Sequence, residues 1–292
     1  MQRTVQALRI CQSKLKKHEV RRMRLVATEA CRRASNAQQF IGYVQRETGL
    51  ELEIIEPEEE ARLAVISCAP LVSTKTEQLL VVDIGGGSTE LVWMDLTRVP
   101  RLERPRAIMR LHSGFKTDDS PFPAARVVDW ISVPLGVATL REQFDDVRDD
   151  AARFALMSWY FEENLADFSP YENEQTRERF QIIGTSGTIT TVAASHLGLR
   201  RYDRNKVDGL RMTSDQIDTV IREYLTLGPT GRRNDPRIGR DRQALIMSGA
   251  AILQALLRIW PTDRLSVADR GLREGLLYAQ MSADGVLEDG PY

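Results

Sequence analysis

The chain has 292 residues, with 40 basic and 41 acidic side chains. This length favours two domains, and the nearly balanced charge gives no overall field that would indicate nucleic acid or a membrane as partner. Three widely spaced cysteines, Cys11, Cys31 and Cys68, exclude a disulfide framework and a CxxC metal site, which favours a reducing compartment. No apolar run approaches the roughly 20 residues that span a bilayer, and charges occupy the N-terminus where a signal peptide is apolar. We therefore expect a cytoplasmic protein.

The first part of the chain alternates between helical and strand patterns. Apolar residues at helical spacing from Val5 to Leu15 predict an amphipathic helix, whose basic face we interpret as solvated. A strand over 24–28 and a helix ending at Gly49 follow, and then a strand over 52–55. Pro57 is expected to begin the next helix, whose first turn contains the acidic residues Glu58, Glu59 and Glu60.

The run over 79–93 gives the strongest local signal. It places a turn of small residues between two apolar strands, and the turn consists of Gly85, Gly86, Gly87, Ser88 and Thr89. Such a turn lets main-chain N–H groups approach phosphate, while Ser and Thr add hydroxyl donors. Asp83 ends the first strand and Glu90 begins the second, so a tight return would bring two oxygen ligands to one rim, as a hard cation requires. The alternative is a glycine-rich hairpin with two solvated acids.

A segment over 98–126 is rich in Pro and Arg and has no sustained period, which predicts a loop or linker. Its excess of basic side chains could hold an anionic chain, although a solvated loop is the simpler interpretation. A second region begins near Trp130, with helices expected over 148–168 and 214–227.

A second turn of small residues follows an apolar strand over 180–183 and precedes a helix over 189–197. It consists of Gly184, Thr185, Ser186, Gly187 and Thr188. Free N–H groups and the helix dipole favour an anion at such a helix start. With one glycine turn in each domain, the sequence predicts a cleft that grips one phosphorylated ligand from both sides.

Several common motifs are missing. The sequence contains no P-loop, no dinucleotide-binding fingerprint after a strand and no GxSxG nucleophile motif. His18, His112 and His196 are isolated from one another and from cysteine, so we interpret them as structural or surface residues rather than metal ligands.

The motifs over 27–32, 57–63, 83–90, 184–188 and 271–275 together resemble the exopolyphosphatase/guanosine pentaphosphatase (Ppx/GppA) family. This resemblance implies the two-domain α/β architecture of the actin-like, sugar-kinase-like ATPases, which is ribonuclease H-like. The expected divisions are a first domain over 1–96, a linker or insertion over 97–129, a second domain over 130–275, and a final helix and tail over 276–292 that returns toward the first domain. Relative to the family, the first domain would lack an N-terminal hairpin and its phosphate loop, through either an upstream start codon or a degenerate paralogue.

The resemblance also implies a chemistry, namely magnesium-dependent hydrolysis of a terminal phosphoanhydride in polyphosphate or guanosine pentaphosphate. Glu60 falls on the catalytic glutamate, Arg32 on an arginine that contacts substrate phosphate, and Asp83 and Glu90 on the metal site. The two glycine turns fall on phosphate loops. Arg242 lies in a region that resembles the family's Arg-Ala-Asp helix, from which the next two residues depart.

Two other functions stay open at this point. A binder of polyphosphate or guanosine tetraphosphate that has lost turnover would keep the cleft, and a kinase or ATPase of the same superfamily is disfavoured because no adenosine-pocket signature is evident. The substrate is the only partner expected, without nucleic acid or membrane, and a homodimer is left open.

Overall fold

The computed structural model describes residues 1–113, 115, 125–168 and 179–287. The chain divides into two compact units, Met1–Glu60 and Ala61–Tyr292, which are described in turn. No helix in the described ranges is long and apolar enough to cross a membrane.

The first unit contains short strands and helices in the predicted order. They are α1 (Gln2–Lys17), β1 (Val26–Ala27), α2 (Glu29–Arg33), α3 (Ala37–Thr48), β2 (Glu53–Ile54) and the first turn of α4 (Pro57–Cys68). β1 and β2 pair in parallel, and Val5 of the predicted amphipathic helix packs with Val44 and Leu50. Gly49 ends α3 with a φ of 69°, a left-handed conformation that favours glycine, as predicted.

The second unit begins inside α4 and is built around one sheet. Its strands are β3 (Gln78–Ile84), β4 (Thr89–Asp95), β5 (Arg126–Val133), β6 (Phe180–Thr185), β7 (Arg211–Met212) and β8 (Leu265–Ala268). Its helices after α4 are α5 (Arg104–Met109), α6 (Val137–Gln143), α7 (Asp150–Glu163), α8 (Gly187–His196), α9 (Arg204–Val207), α10 (Ser214–Asn234), α11 (Ile246–Ile259) and α12 (Leu272–Ala283).

The six strands lie in the order β5-β4-β3-β6-β8-β7. β3 pairs with β4 as the predicted antiparallel hairpin, whereas β3, β6 and β8 are mutually parallel. Because parallel strands end at the same side of a sheet, the turns after β3, β6 and β8 share one edge, which we call the carboxyl edge.

Helices cover both faces of this sheet, so the α/β class predicted from the sequence is confirmed. One face packs on α7, α8, α10 and α11 through alternate strand residues such as Leu80 and Val82. The other face packs on α4 and α5 through Leu79 and Val81. This alternation is the period-2 pattern of a strand that is buried on both faces.

Helix α5 was not expected from the sequence, and helix α10 contains a break. The segment over 98–126 was expected to be a loop, but α5 forms within it because Pro105 suits a first helical turn and Ala107 and Ile108 are buried. One stretch of that segment and the end of the predicted tail lie outside the described residues. The helix expected over 214–227 forms, and Gly228, with a φ of 63°, breaks α10 directly afterwards.

Candidate active site

The turn between β3 and β4 is held by the start of α6. The carbonyls of Gly85 and Gly86 accept hydrogen bonds from the N–H groups of Val137 and Ala138 at 3.0 and 2.9 Å. A Cβ on Gly136 would lie 2.5 Å from the main chain of this turn, so only glycine permits the approach. The N–H groups of Gly86 and Gly87 have no acceptor within the described part of the chain. They are free to bind an anion.

The neighbouring hydroxyls do not serve as the sequence suggested. Ser88 donates to Glu90 Oε1 at 2.6 Å, and Thr89 donates to the carbonyl of Leu135 at 2.8 Å. Both residues are buried. These hydroxyls therefore fasten the hairpin instead of offering donors to phosphate, because both donate to acceptors within the protein.

Asp83 and Glu90 are opposed residues of the β3–β4 pair. Opposed residues of antiparallel strands have Cβ atoms about 4.5–5.5 Å apart on one face, so the two side chains share a face of the sheet. Asp83 is half-buried, whereas Glu90 is only 2% exposed and its Oε1 also accepts from Ser132 at 2.9 Å. Burial, with a contribution from Asp83, raises the pKa of the nearby Cys68 thiol to about 12, so Cys68 stays protonated.

A magnesium ion held by these carboxylates would be only partly enclosed by protein. Among the residues that the structure describes, no three His, Cys, Asp or Glu side chains lie close enough to surround an ion. Mg²⁺ commonly takes one or two carboxylates and completes its shell with water and substrate phosphates. Asp83 and Glu90 satisfy that requirement.

The second turn leads from β6 into α8. Ser186 accepts a hydrogen bond from the N–H of Ile189 at 3.0 Å and caps the helix. Thr185 and Thr188 are buried: the hydroxyl of Thr185 donates to the carbonyl of Arg270, and Thr188 packs where a Cβ on Gly249 would lie. The part of this turn left for a ligand is its backbone around Ser186 and Gly187.

Arg242 lies directly over the second turn. A Cβ on Gly187 would fall 0.8 Å from Nη1 of Arg242, so the guanidinium occupies the space that any side chain at this position would need. Arg242 is exposed, and no carboxylate pairs with it within the described ranges. A cation at a helix start that already favours anions makes a strong position for phosphate. The sequence had marked Arg242 only as part of a helix.

The two turns lie next to each other. The sequence placed one in each of two domains, but β3 and β6 are neighbouring strands of one sheet, so both turns open at its carboxyl edge. A third turn, Asp269–Gly271, follows β8 at the same edge and was not among the predicted site residues. It could have been predicted from the sequence, because an apolar strand directly precedes the Gly-Leu-Arg-Glu-Gly motif.

Arg32 and Glu60 meet within the first unit. Nη2 of Arg32 donates to Glu60 Oε2 at 2.8 Å, Nη1 to the carbonyl of Ile55 at 2.7 Å, and Nε to Glu29 Oε2 at 3.2 Å. Burial alone would lower the pKa of Arg32, but the hydrogen bonds and charges of Glu60 and Glu29 raise it. The guanidinium predicted to contact phosphate therefore holds the predicted catalytic carboxylate in place.

Comparisons with known proteins show the family and the fold of this chain. The model of the Ppx/GppA phosphatase family matches residues 1–284. The crystal structure of the Aquifex aeolicus Ppx/GppA family member is 29% identical over 97% of this chain and 81% of its own, with a TM-score of 0.73. A second Aquifex aeolicus PPX-GPPA structure is 31% identical over 95% of this chain and 82% of its own, with a TM-score of 0.71.

A third likeness concerns the fold alone. An exopolyphosphatase structure from Cytophaga hutchinsonii is 22% identical over 98% of this chain and 82% of its own, with a TM-score of 0.76. Together these likenesses confirm the predicted actin-like, two-domain α/β architecture.

Proposed function

Since the chain belongs to the Ppx/GppA phosphatase family, we propose that it hydrolyses the terminal phosphoanhydride of inorganic polyphosphate or guanosine pentaphosphate. The observation that supports this most is the carboxyl edge of the second unit. There, two anion-binding turns open beside the opposed carboxylates Asp83 and Glu90. A polyanion with a divalent cation is the ligand that such a combination suits.

The phosphate-binding part is built mainly from backbone. The N–H groups of Gly86 and Gly87 would hold phosphate oxygens at the first turn, and the start of α8 with the Arg242 guanidinium would hold others at the second. Asp83 and Glu90 would hold the cation, which neutralises charge on phosphate oxygens when bound. A loose phosphoryl-transfer transition state needs this positioning and charge neutralisation more than covalent help.

Glu60 is the proposed general base. Its carboxylate would accept a proton from water as the water oxygen forms a bond to the terminal phosphorus and the anhydride P–O bond breaks, releasing orthophosphate and the shortened chain. Arg32 donates to one oxygen, Oε2, and so fixes the orientation of the carboxylate.

Phosphate release tests the proposal. We expect the protein to release orthophosphate from polyphosphate, from guanosine pentaphosphate, or from both, and only with a divalent cation. Asp83→Asn removes one proposed ligand, so it should lower the rate and shift the magnesium titration to higher concentration. Asp146→Asn, at an exposed position, is the matched control and should change neither.

Two results would contradict the proposal. If neither substrate releases phosphate at any magnesium concentration but both bind, the protein is a binder and not a hydrolase. An unchanged magnesium titration in Asp83→Asn would remove Asp83 from the cation site.

A further inference from the structure

Tyr202 stands out among the aromatic residues of the second unit. It is 48% exposed, yet its hydroxyl is held in place, because it donates to Asp269 Oδ2 at 2.7 Å. The side chain of Thr190 interacts with the same hydroxyl. Desolvation and the hydrogen bond to Asp269 raise the pKa of Tyr202 further above its usual value.

Both partners of this hydroxyl belong to the carboxyl edge. Asp269 follows the last residue of β8, and Thr190 lies in the first turn of α8, one turn after Gly187. Asp269 is itself fixed, because Nη2 of Arg204 donates to its carbonyl at 2.5 Å. The ring is therefore anchored through its polar end beside the second anion-binding turn, while much of the side chain faces solvent.

Tyr202 lies in a segment that contains two exposed arginines. Arg200 and Arg201 directly precede Tyr202, are exposed, and have no carboxylate partner among the residues described. A fixed aromatic ring with cationic neighbours suits a nucleobase that carries phosphates, since every base offers a π-face and its phosphates meet the cations. Inorganic polyphosphate has no group that a ring face would bind.

We infer that Tyr202 is a stacking platform for the base of a nucleoside polyphosphate whose phosphates lie at the neighbouring turns of the carboxyl edge. This inference rests on the proposed function and makes it more specific, because it assigns a nucleotide to the same site. Tyr202 acts in substrate selection and takes no part in the hydrolytic step.

The test compares two substrates in one set of variants. Tyr202→Ala removes the ring and should raise KM about tenfold for guanosine pentaphosphate, with KM for inorganic tripolyphosphate unchanged. Tyr202→Phe keeps the ring and should leave the nucleotide KM within about threefold of wild type. Trp159→Ala removes an aromatic side chain that is 55% exposed on α7, and it should affect neither substrate.

The opposite results overturn the inference. An unchanged nucleotide KM in Tyr202→Ala would show that no base stacks there, and an equal rise for both substrates would show that Tyr202 only supports the phosphate turns. If the wild-type protein hydrolyses neither substrate, the stacking role of Tyr202 is tested independently of hydrolysis, by calorimetric measurement of guanosine tetraphosphate binding. Weaker binding to Tyr202→Ala then supports the platform, and equal binding refutes it.

Discussion

Arg242 and Gly187 are in close contact, because the guanidinium fills the space beside the glycine. Gly187→Ala should displace the flexible end of Arg242 without disturbing the backbone. Arg242→Gln should remove the charge altogether. Because a hydrogen bond to a charged group contributes about 1.5–3 kcal/mol, each variant should raise KM for polyphosphate about tenfold or more, with a smaller effect on kcat.

Non-additivity distinguishes this pairing from two separate effects. The double variant should have the same KM for polyphosphate as Arg242→Gln alone, since no guanidinium is then left for the alanine to displace. Arg240→Gln, exposed in the same turn, is the matched control and should leave KM unchanged. Additive losses in the double variant would show that Gly187 contributes independently of Arg242.

At this scale, the sequence identified the relevant segments but could not orient every side chain. The opposed positions of Asp83 and Glu90 followed from the hairpin pattern, because register is fixed by a short turn. The hydroxyl of Thr89 donates to Leu135, a partner 46 residues away that only the folded chain supplies, whereas Ser88 donates to its near neighbour Glu90, which is buried in the fold. Arg242 was missed as a site residue because its contact with Gly187 joins segments far apart in sequence.

The close packing of α12 on α4 depends on Gly275. A Cβ at this position would lie 2.1 Å from the carbonyl oxygen of Leu63, so the two helices would have to separate. We expect Gly275→Ala to lower the free energy of unfolding by about 1–3 kcal/mol, as overpacking does. Chemical denaturation measures it.

Gly239→Ala supplies the comparison, since a Cβ there meets nothing within 4 Å. It should leave the stability within about 0.5 kcal/mol of wild type. Equal stability of Gly275→Ala and wild type would mean that α12 does not pack as closely on α4 as described.

Most helices and strands were predictable from local patterns, but the pairing of distant strands was not. Apolar runs bounded by glycine indicated β3, β4 and β6, and the capping signals at Pro57 and Gly49 fixed two helix ends. The parallel pairing of β3 with β6 joins segments separated by β4, α5, β5, α6 and α7, and no local pattern specifies such a partner. α5 was missed because a six-residue helix is too short to show a period.

Each of the two units contains a part of the predicted site. Arg32 and Glu60 belong to the unit Met1–Glu60, and the anion-binding turns with Asp83 and Glu90 belong to Ala61–Tyr292. The expected domain bounds at 96 and 130 differ from this division, since β4 and β5 on either side of the predicted linker are adjacent strands. A hairpin can begin a sheet as readily as end one, so its pattern does not mark a domain boundary.

Glu60 is the proposed base for hydrolysis, and the variant Glu60→Gln separates that role from substrate binding. Glutamine keeps a carbonyl oxygen for Arg32 but cannot take the proton, so phosphate release should fall about 10²- to 10⁴-fold while calorimetry shows unchanged binding of tripolyphosphate. Glu58→Gln, exposed in the same helical turn, should retain wild-type activity. Wild-type rates in Glu60→Gln, or loss of binding in place of turnover, would contradict the claim.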